Sequence, residues 1–140
     1  MPYYTAIGFT GTRTGMTPQQ MIAVELILRC SPHKFFHHGD CIGADAEAHR
    51  IAEKYHKATV IHPPDNNAYR AYCSVTMGHV EMPADFISRN HAIVDACILL
   101  IACPGSMTEH KRSGTWATVR YARKIGRTMV IILPDGSIGR

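Results

Sequence analysis

The 140-residue sequence lacks a long apolar run: no stretch approaches the roughly 20 residues that a membrane-spanning helix needs. Its first residues, Met1-Pro2-Tyr3-Tyr4, lack the basic and apolar regions of a secretory signal peptide. The five cysteines include no C-x-x-C pair, and an odd number does not suit a disulfide framework. We therefore expect a cytoplasmic protein with reduced thiols and no membrane association.

Two common nucleotide-binding motifs are also missing, since the chain has neither G-x-x-x-x-G-K-[ST] nor G-x-G-x-x-G. The formal net charge is +4, without a dense run of Lys or Arg, so we expect a small anionic ligand and not nucleic acid. His37 and His38 are adjacent on an expected strand and face opposite sides of it, so they cannot share a metal. The other histidines are scattered. We predict no metal and no cofactor.

What the chain does have is an alternation of short apolar segments with amphipathic ones. Strands are predicted at 4–9, 34–38, 59–62, 97–103 and 128–133, and helices at 18–30, 44–57, 83–95 and 113–125. Residues 65–82 are expected to form a long loop with about one helical turn, and the tail after Gly136 to be loose. This order predicts one α/β domain over residues 1–140, Rossmann-like, with about five parallel strands and helices on both faces.

The segment after the fourth predicted strand carries the strongest functional signal. Ser113 stands at the N-cap of the last helix, Gly114 at its first turn, and Thr115 adds a hydroxyl. A helix start offers free N–H groups and a positive dipole end, and glycine lets a ligand approach the backbone. The pattern indicates a phosphate site. The alternative is a cap that serves only its own helix.

Two glycine-rich turns and one helix supply the other candidate ligand-binding residues. In a parallel sheet, ligands lie beyond the C-terminal ends of the strands, where these turns should meet. An arginine in the first turn can fork onto phosphate, and an aspartate in the second can accept ribose hydroxyls or cap a helix. The full set is Gly11, Thr12, Arg13, Gly39, Asp40, Gly43, Ala44, Asp45, Arg89, Asn90, Arg112, Ser113, Gly114 and Thr115.

Two carboxylates are candidates for catalysis. Glu109 lies in the loop before the last helix and is the best placed for general acid or base work, with Asp45 as the substitute. A solvated loop glutamate is the alternative for Glu109. Tyr69 and Tyr72 are placed either to stack on a base or to cover the edge of the core.

Taken in order, four segments resemble the SLOG superfamily, and within it the small YspA/YpsA-like members related to the Lonely Guy enzymes and DprA. These segments are Ile7–Arg13, Gly39–Asp45, Arg89–Asp95 and Ser113–Trp116. The resemblance implies a Rossmann-like sheet that binds a nucleotide-derived ligand, with phosphate at Ser113, Gly114 and Thr115, and a homodimer or higher homo-oligomer. Lonely Guy enzymes carry P-G-G-x-G-T-x-x-E, whereas here Thr118 occupies the place of the catalytic glutamate.

Two functions stay open at this point. One is a binding protein for a nucleoside monophosphate or an ADP-ribose-like ligand. The other is a nucleotide N-glycosidase that acts on nucleoside 5′-monophosphates, in which water attacks the anomeric carbon with the help of a carboxylate. A third class, single-stranded nucleic-acid binding, is the least compatible with the mild charge.

Overall fold

A computed structural model describes residues 6–140, so Tyr4 and Thr5 of the first predicted strand lie outside the described residues. The elements follow in the order β1 (Ala6–Gly11), α1 (Pro18–Cys30), β2 (Phe35–His38), α2 (Ala44–Lys54), β3 (Ala58–Ile61), β4 (Gly78–Val80), α3 (Phe86–Asp95), β5 (Leu99–Cys103), α4 (Gly114–Ile125), β6 (Thr128–Ile132) and β7 (Ile138–Gly139). A single 3-10 turn, Asn67–Tyr69, lies between β3 and β4.

The sheet is mostly parallel, with strand order β4-β3-β2-β1-β5-β6-β7. Strands β1 to β6 pair in parallel, and β7 pairs antiparallel with β6. The α/β class and the parallel core of the sheet are therefore confirmed. The predicted count of about five strands is wrong, because the described residues form seven.

The two extra strands lie where the sequence predicted irregular structure. Strand β4 falls inside the expected loop 65–82, and all three of its residues are exposed. Strand β7 has two residues and lies in the expected loose tail. Neither has an apolar face, so the period-2 signal that reveals a half-buried strand is absent from both.

Helices cover both faces of the sheet and define where the core lies. Helices α1 and α2 pack on one face, in a cluster that includes Val24, Leu28 and Ala48 with Phe9 and Phe36. Helices α3 and α4 cover the other face, through clusters around Ile93, Val94, Ala122 and Val119. No helix within residues 6–140 is long and apolar enough to cross a membrane.

Two helix starts follow directly from the residues that precede them. The side chain of Thr17 accepts a hydrogen bond from the Gln20 amide, and the Gln20 side chain accepts one from the Thr17 amide, which forms a capping box before Pro18. At α4, the Ser113 hydroxyl accepts a hydrogen bond from the Trp116 amide. Both starts agree with the sequence prediction.

The strand order reverses beside β1, because β2 and β3 lie on one side of it and β5 and β6 on the other. In open α/β sheets, the crevice beyond the strand ends at such a switch point is the usual ligand site. We therefore expect a ligand site at the turns that follow β1, β2 and β5.

Candidate functional site

A cleft of about 660 Å³ lies at this switch point. Its walls come from the turns after β1 and β2, from α3, from the loop after β5 and from the start of α4. The lining residues are Phe9, Thr10, Gly11, Thr12, Arg13, Thr14, Gly39, Cys41, Asp45, Phe86, Arg89, Asn90, Ile93, Gly105, Ser106, His110, Arg112, Ser113, Gly114 and Thr115.

Most of the residues singled out from the sequence come together in this cleft. Those on its walls are Gly11, Thr12, Arg13, Gly39, Asp45, Arg89, Asn90, Arg112, Ser113, Gly114 and Thr115. Asp40, Gly43, Ala44 and Glu109 are not among the lining residues. Four separate segments of the chain therefore converge on one concave surface.

The start of α4 presents free backbone donors to the cleft. The Ser113 hydroxyl is used by the Trp116 amide, whereas the amides of Gly114 and Thr115 have no acceptor among residues 6–140. A Cβ added at Gly114 would meet no atom within 4 Å, so its backbone is open. Free amides at a positive dipole end, beside Arg112, are able to hold an anion.

Thr118 lies one turn further along α4 and serves the helix itself. Its side chain is buried, and its hydroxyl donates to the carbonyl of Gly114 over 2.9 Å. This is the position at which the resemblance drawn from the sequence would place a catalytic glutamate. The chain thus has no carboxylate there, and the hydroxyl that replaces it is already hydrogen-bonded.

Among residues 6–140, Asp45 is the one carboxylate on the wall of the cleft. Only 5% of the residue is exposed; Oδ2 accepts from the Cys41 amide over 3.2 Å, and Oδ1 has no partner. Burial raises the pKa of this carboxyl to about 6, although the charge of Arg89 and the amides of Cys41 and Gly39 act in the opposite direction. Oδ1 is itself enclosed, and an unpaired buried oxygen keeps its full capacity to accept a hydrogen bond.

Arg89 holds the second glycine-rich turn in place. Its Nη1 donates to the carbonyls of Gly39 and His62, and its Nε donates to Asn90 over 2.8 Å. The guanidinium occupies the space of a side chain at position 39, since a Cβ there would lie 2.3 Å from Nη1. Arg89 is buried, so its charge acts on Asp45 more than on solvent.

Three of the predicted ligand-binding residues have structural roles instead. Asp40 is fully buried, pairs with Arg70 over 3.0 Å and accepts from the Cys73 amide over 2.9 Å, which ties the 70–73 segment to the turn. Gly43 has φ +87°, and the Ala44 amide donates to the Thr12 carbonyl. These residues shape the cleft from behind its wall.

Glu109 does not have the environment of a catalytic carboxylate. It is exposed, and its two oxygens pair with Arg120 and Arg123 on α4 over 3.0 Å each. Hydrogen bonds from these two arginines lower its pKa. The structure therefore corrects the sequence-based preference: Glu109 fastens the loop to α4, and Asp45 is the carboxylate in the cleft.

Several lining residues were missed by the sequence reasoning. Phe86 and Ile93 lie on the same face of α3 as Arg89 and Asn90, and the 3.6-residue helical period would have added them to the site. Cys41 and His110 lie in turns, and no local pattern distinguishes them.

Within the described residues, one cluster has spacing that suits a metal ion: His38, His49 and Cys73. The hydrogen bonds of the two histidine rings, however, leave no ring nitrogen free to bind a metal ion. The Asp40 amide donates to His38 Nδ1, so Nε2 carries the proton of that ring and donates to His49 Nδ1 over 2.8 Å; His49 Nε2 then donates to the Ser74 carbonyl. Every ring nitrogen is occupied, and none has a lone pair left for a metal.

No family model matches the chain, and neither does any curated protein. Solved structures do. The molybdenum cofactor binding protein of Rippkaea orientalis superimposes with a TM-score of 0.70 at 19% identity, over 93% of this chain and 77% of that one. DprA of Streptococcus pneumoniae superimposes with a TM-score of 0.68 at 21% sequence identity, over 93% of this chain and 50% of that one.

The chain shares the α/β fold of these structures, a mostly parallel sheet with helices on both faces. A third structure agrees: DprA of Helicobacter pylori, described in terms of its single-stranded DNA binding mode, gives a TM-score of 0.64 at 17% identity over 90% of this chain and 64% of its own. The chain spans about half the length of the Streptococcus DprA. The expectation that nucleic acid is not a partner finds no support in these comparisons.

Proposed function

We propose that the protein binds a nucleotide or nucleotide-derived ligand, a nucleoside monophosphate or an ADP-ribose-like molecule, with its phosphate at the start of α4. The observation that carries this proposal is that one cleft contains both the open amides of Gly114 and Thr115 and the unpaired buried oxygen of Asp45. The first feature suits an anion and the second a neutral donor. A phosphorylated sugar or nucleoside has both.

The ligand would be held from two sides. The α4 amides and the Arg112 guanidinium would donate to the phosphate oxygens, with charge-assisted hydrogen bonds from the arginine. Asp45 Oδ1 would accept a hydroxyl or N–H of the rest of the ligand. Both contacts use groups that lack a partner among residues 6–140, so binding would displace no protein hydrogen bond.

Gly114 offers a sharp test because two substitutions of equal size differ only in charge. Gly114→Asp places a carboxylate where the phosphate is expected, and Gly114→Asn places an amide there. Both fit sterically, since a Cβ at 114 is open, and an acidic residue suits a helix start. We expect AMP and ADP-ribose to stabilise the parent in thermal unfolding, the Asn variant less, and the Asp variant not at all. Equal stabilisation of all three would refute the site.

The alternative function is nucleotide N-glycosidase activity, and Asp45 is the observation that favours it. A buried carboxyl with a pKa of about 6 and a free oxygen is suited to activate water or to stabilise an oxocarbenium-like transition state. Water would add to the anomeric carbon of the ribose, the N-glycosidic bond would break, and the free base would leave with a proton.

Release of free base from nucleoside 5′-monophosphates, followed by chromatography, tests this alternative. If the protein turns over, Asp45→Asn should abolish release while Glu109→Gln leaves it within about twofold, because Glu109 is paired with arginines away from the cleft. Retained activity in the Asn variant would remove Asp45 from the mechanism. Absence of release across a broad panel would leave the binding function alone.

Two further ligands belong in the binding panel because of the structural neighbours. The Rippkaea protein is described as binding molybdenum cofactor and the Helicobacter DprA as binding single-stranded DNA. Binding of oligonucleotides to the protein should weaken steeply with salt if phosphates supply the affinity. The homodimer or higher oligomer implied by the family resemblance stays a prediction, which analytical ultracentrifugation tests directly.

A further inference from the structure

We propose that the cleft contains a second anion subsite, formed by Arg13, so that the ligand carries a second anionic group apart from the phosphate at α4. This proposal rests on the proposed function and specifies its ligand class: a nucleoside that bears anionic groups on both sides of its sugar. The sequence suggested that Arg13 meets phosphate; the structure shows where its guanidinium lies and what holds it.

Arg13 is an exposed residue whose guanidinium lies over an aromatic ring and has no charged partner among residues 6–140. Its Cζ lies 3.9 Å from the ring centroid of Tyr69, a cation–π contact. No carboxylate or hydrogen-bond acceptor among residues 6–140 meets its N–H groups. The ring of Tyr69 thus occupies one face, and the five donors around the edge stay available to an anion.

The backbone on either side of Arg13 is held as well. The Gly15 amide donates to the Thr12 carbonyl, and the Thr14 amide donates to the Thr12 hydroxyl. Gly43 packs directly against the Arg13 carbonyl, which a Cβ at 43 would approach to 2.2 Å. The turn is therefore ordered before a ligand arrives, which lowers the entropic cost of binding.

Tyr69 is tied to the β2 side of the cleft. It ends the 3-10 turn Asn67–Tyr69, whose cap is the Asn66 side chain, and its carbonyl accepts from the Ile42 amide over 2.9 Å. The next residue, Arg70, pairs with buried Asp40. Because Tyr69 is fixed to the turn after β2, it draws the Arg13 guanidinium toward β2.

The start of α4 lies on the opposite side, because α4 follows β5. Strand β1 separates β2 from β5, and Arg13 and the start of α4 line the same cleft. Asp45 lies in the first turn of α2, whose first amide, on Ala44, donates to the Thr12 carbonyl just after β1. Its carboxyl lines the same cleft as the two cationic subsites, where it would meet the sugar of a doubly phosphorylated nucleoside.

Isothermal titration calorimetry with matched probes tests this arrangement. Adenosine and guanosine are each used as the 5′-monophosphate and as the 3′,5′-bisphosphate, and the 5′-diphosphates form a third arm that places the second anion beside the first. We expect the parent to prefer the bisphosphate over the monophosphate by about tenfold or more. Arg13→Ala should remove this preference, because it should lower bisphosphate affinity far more than monophosphate affinity.

Two control variants separate a subsite from a general charge effect. Arg29→Ala removes an exposed arginine near the end of α1, which leads into the N-terminal end of β2, away from the cleft. This variant should keep the preference for the bisphosphate. Tyr69→Phe keeps the ring beneath the guanidinium and should also keep the preference for the bisphosphate. Tyr69→Ala removes the ring and should reduce that preference.

Each result has a definite meaning. Equal loss of monophosphate and bisphosphate binding in Arg13→Ala would place Arg13 on the α4 phosphate and overturn the second subsite. A parent protein that binds the monophosphate and the bisphosphate equally well would also overturn it. A preference for the 5′-diphosphates in place of the bisphosphates, lost in Arg13→Ala, would overturn the proposal, because it would place the second anion beside the first and not across the sugar. If the parent binds none of these nucleotides, the proposed function itself fails, and this proposal fails with it.

Discussion

Replacing Asp45 by Asn should stabilise the protein at neutral pH. Asp45 is buried with one unpaired oxygen, and its pKa is about 6 against the ordinary 3.8. This difference corresponds to about 3 kcal/mol that the ionised carboxyl costs the folded state. The position of Asp45 in the first turn of α2 favours the charge by about 0.3–1 kcal/mol, so we expect a net gain of about 2 kcal/mol.

The pH dependence of that gain identifies its cause. Between about pH 4 and pH 6 the folded parent binds more protons than the unfolded chain, so its stability falls as pH rises through this window. Asn does not titrate. The difference in unfolding free energy between variant and parent should therefore be small near pH 4 and reach its full value above pH 7. Urea unfolding at half-unit pH steps measures it.

Asp135→Asn is the control, because this exposed carboxyl has the opposite shift. Its hydrogen bonds from Ser137 lower its pKa, so its removal should not stabilise the protein at neutral pH. A stability difference for Asp45→Asn that is the same at pH 4 and pH 8, or a less stable variant at pH 8, would show that Oδ1 is satisfied. The reasoning about a free acceptor in the cleft would then be wrong.

Two further predictions concern the backbone and the buried histidines. Gly43→Ala should lower the free energy of unfolding by roughly 2–4 kcal/mol in urea titrations, because φ is +87° and the added Cβ would meet the Arg13 carbonyl. Gly126→Ala, at φ +73° but with open space around the Cβ, should lower it by about 1 kcal/mol, and equal losses in the two variants would contradict the clash. Burial lowers the pKa values of His37 and His62 to about 4, so the stability linked to their neutral forms is present above pH 6.5 and is lost as pH falls toward 4. In the double variant His37→Gln/His62→Gln, the free energy of unfolding should therefore fall less between pH 6.5 and pH 4 than in the parent. The same fall in both proteins would contradict this prediction.

The sequence predicted the frame of the site because its signals are local. Thr17-Pro18 and Ser113-Gly114 mark two helix starts by their caps, and the apolar run before Pro104 marks the central strand. Parallel topology then brings the turns after the strands to one edge. These steps need only neighbours in sequence and one topological rule.

What the sequence could not predict depends on contacts between distant segments. The preference for Glu109 over Asp45 was reversed by burial and by arginines 11 and 14 residues further along the chain. Asp40 became a structural residue because Arg70, 30 residues away, reaches it. Strand β4 exists because β3 offers it a hydrogen-bonding edge, which a propensity pattern does not record.

The contact between Arg89 and Gly39 limits how related chains are able to diverge. One residue fills the volume that the other leaves empty, so a chain with any larger residue at position 39 must also shorten or redirect the arginine 50 residues later. Such a chain would change the charge that acts on Asp45, and under the proposed function its cleft would bind a different set of ligands. Paired variation at these two positions would therefore mark a boundary between ligand specificities.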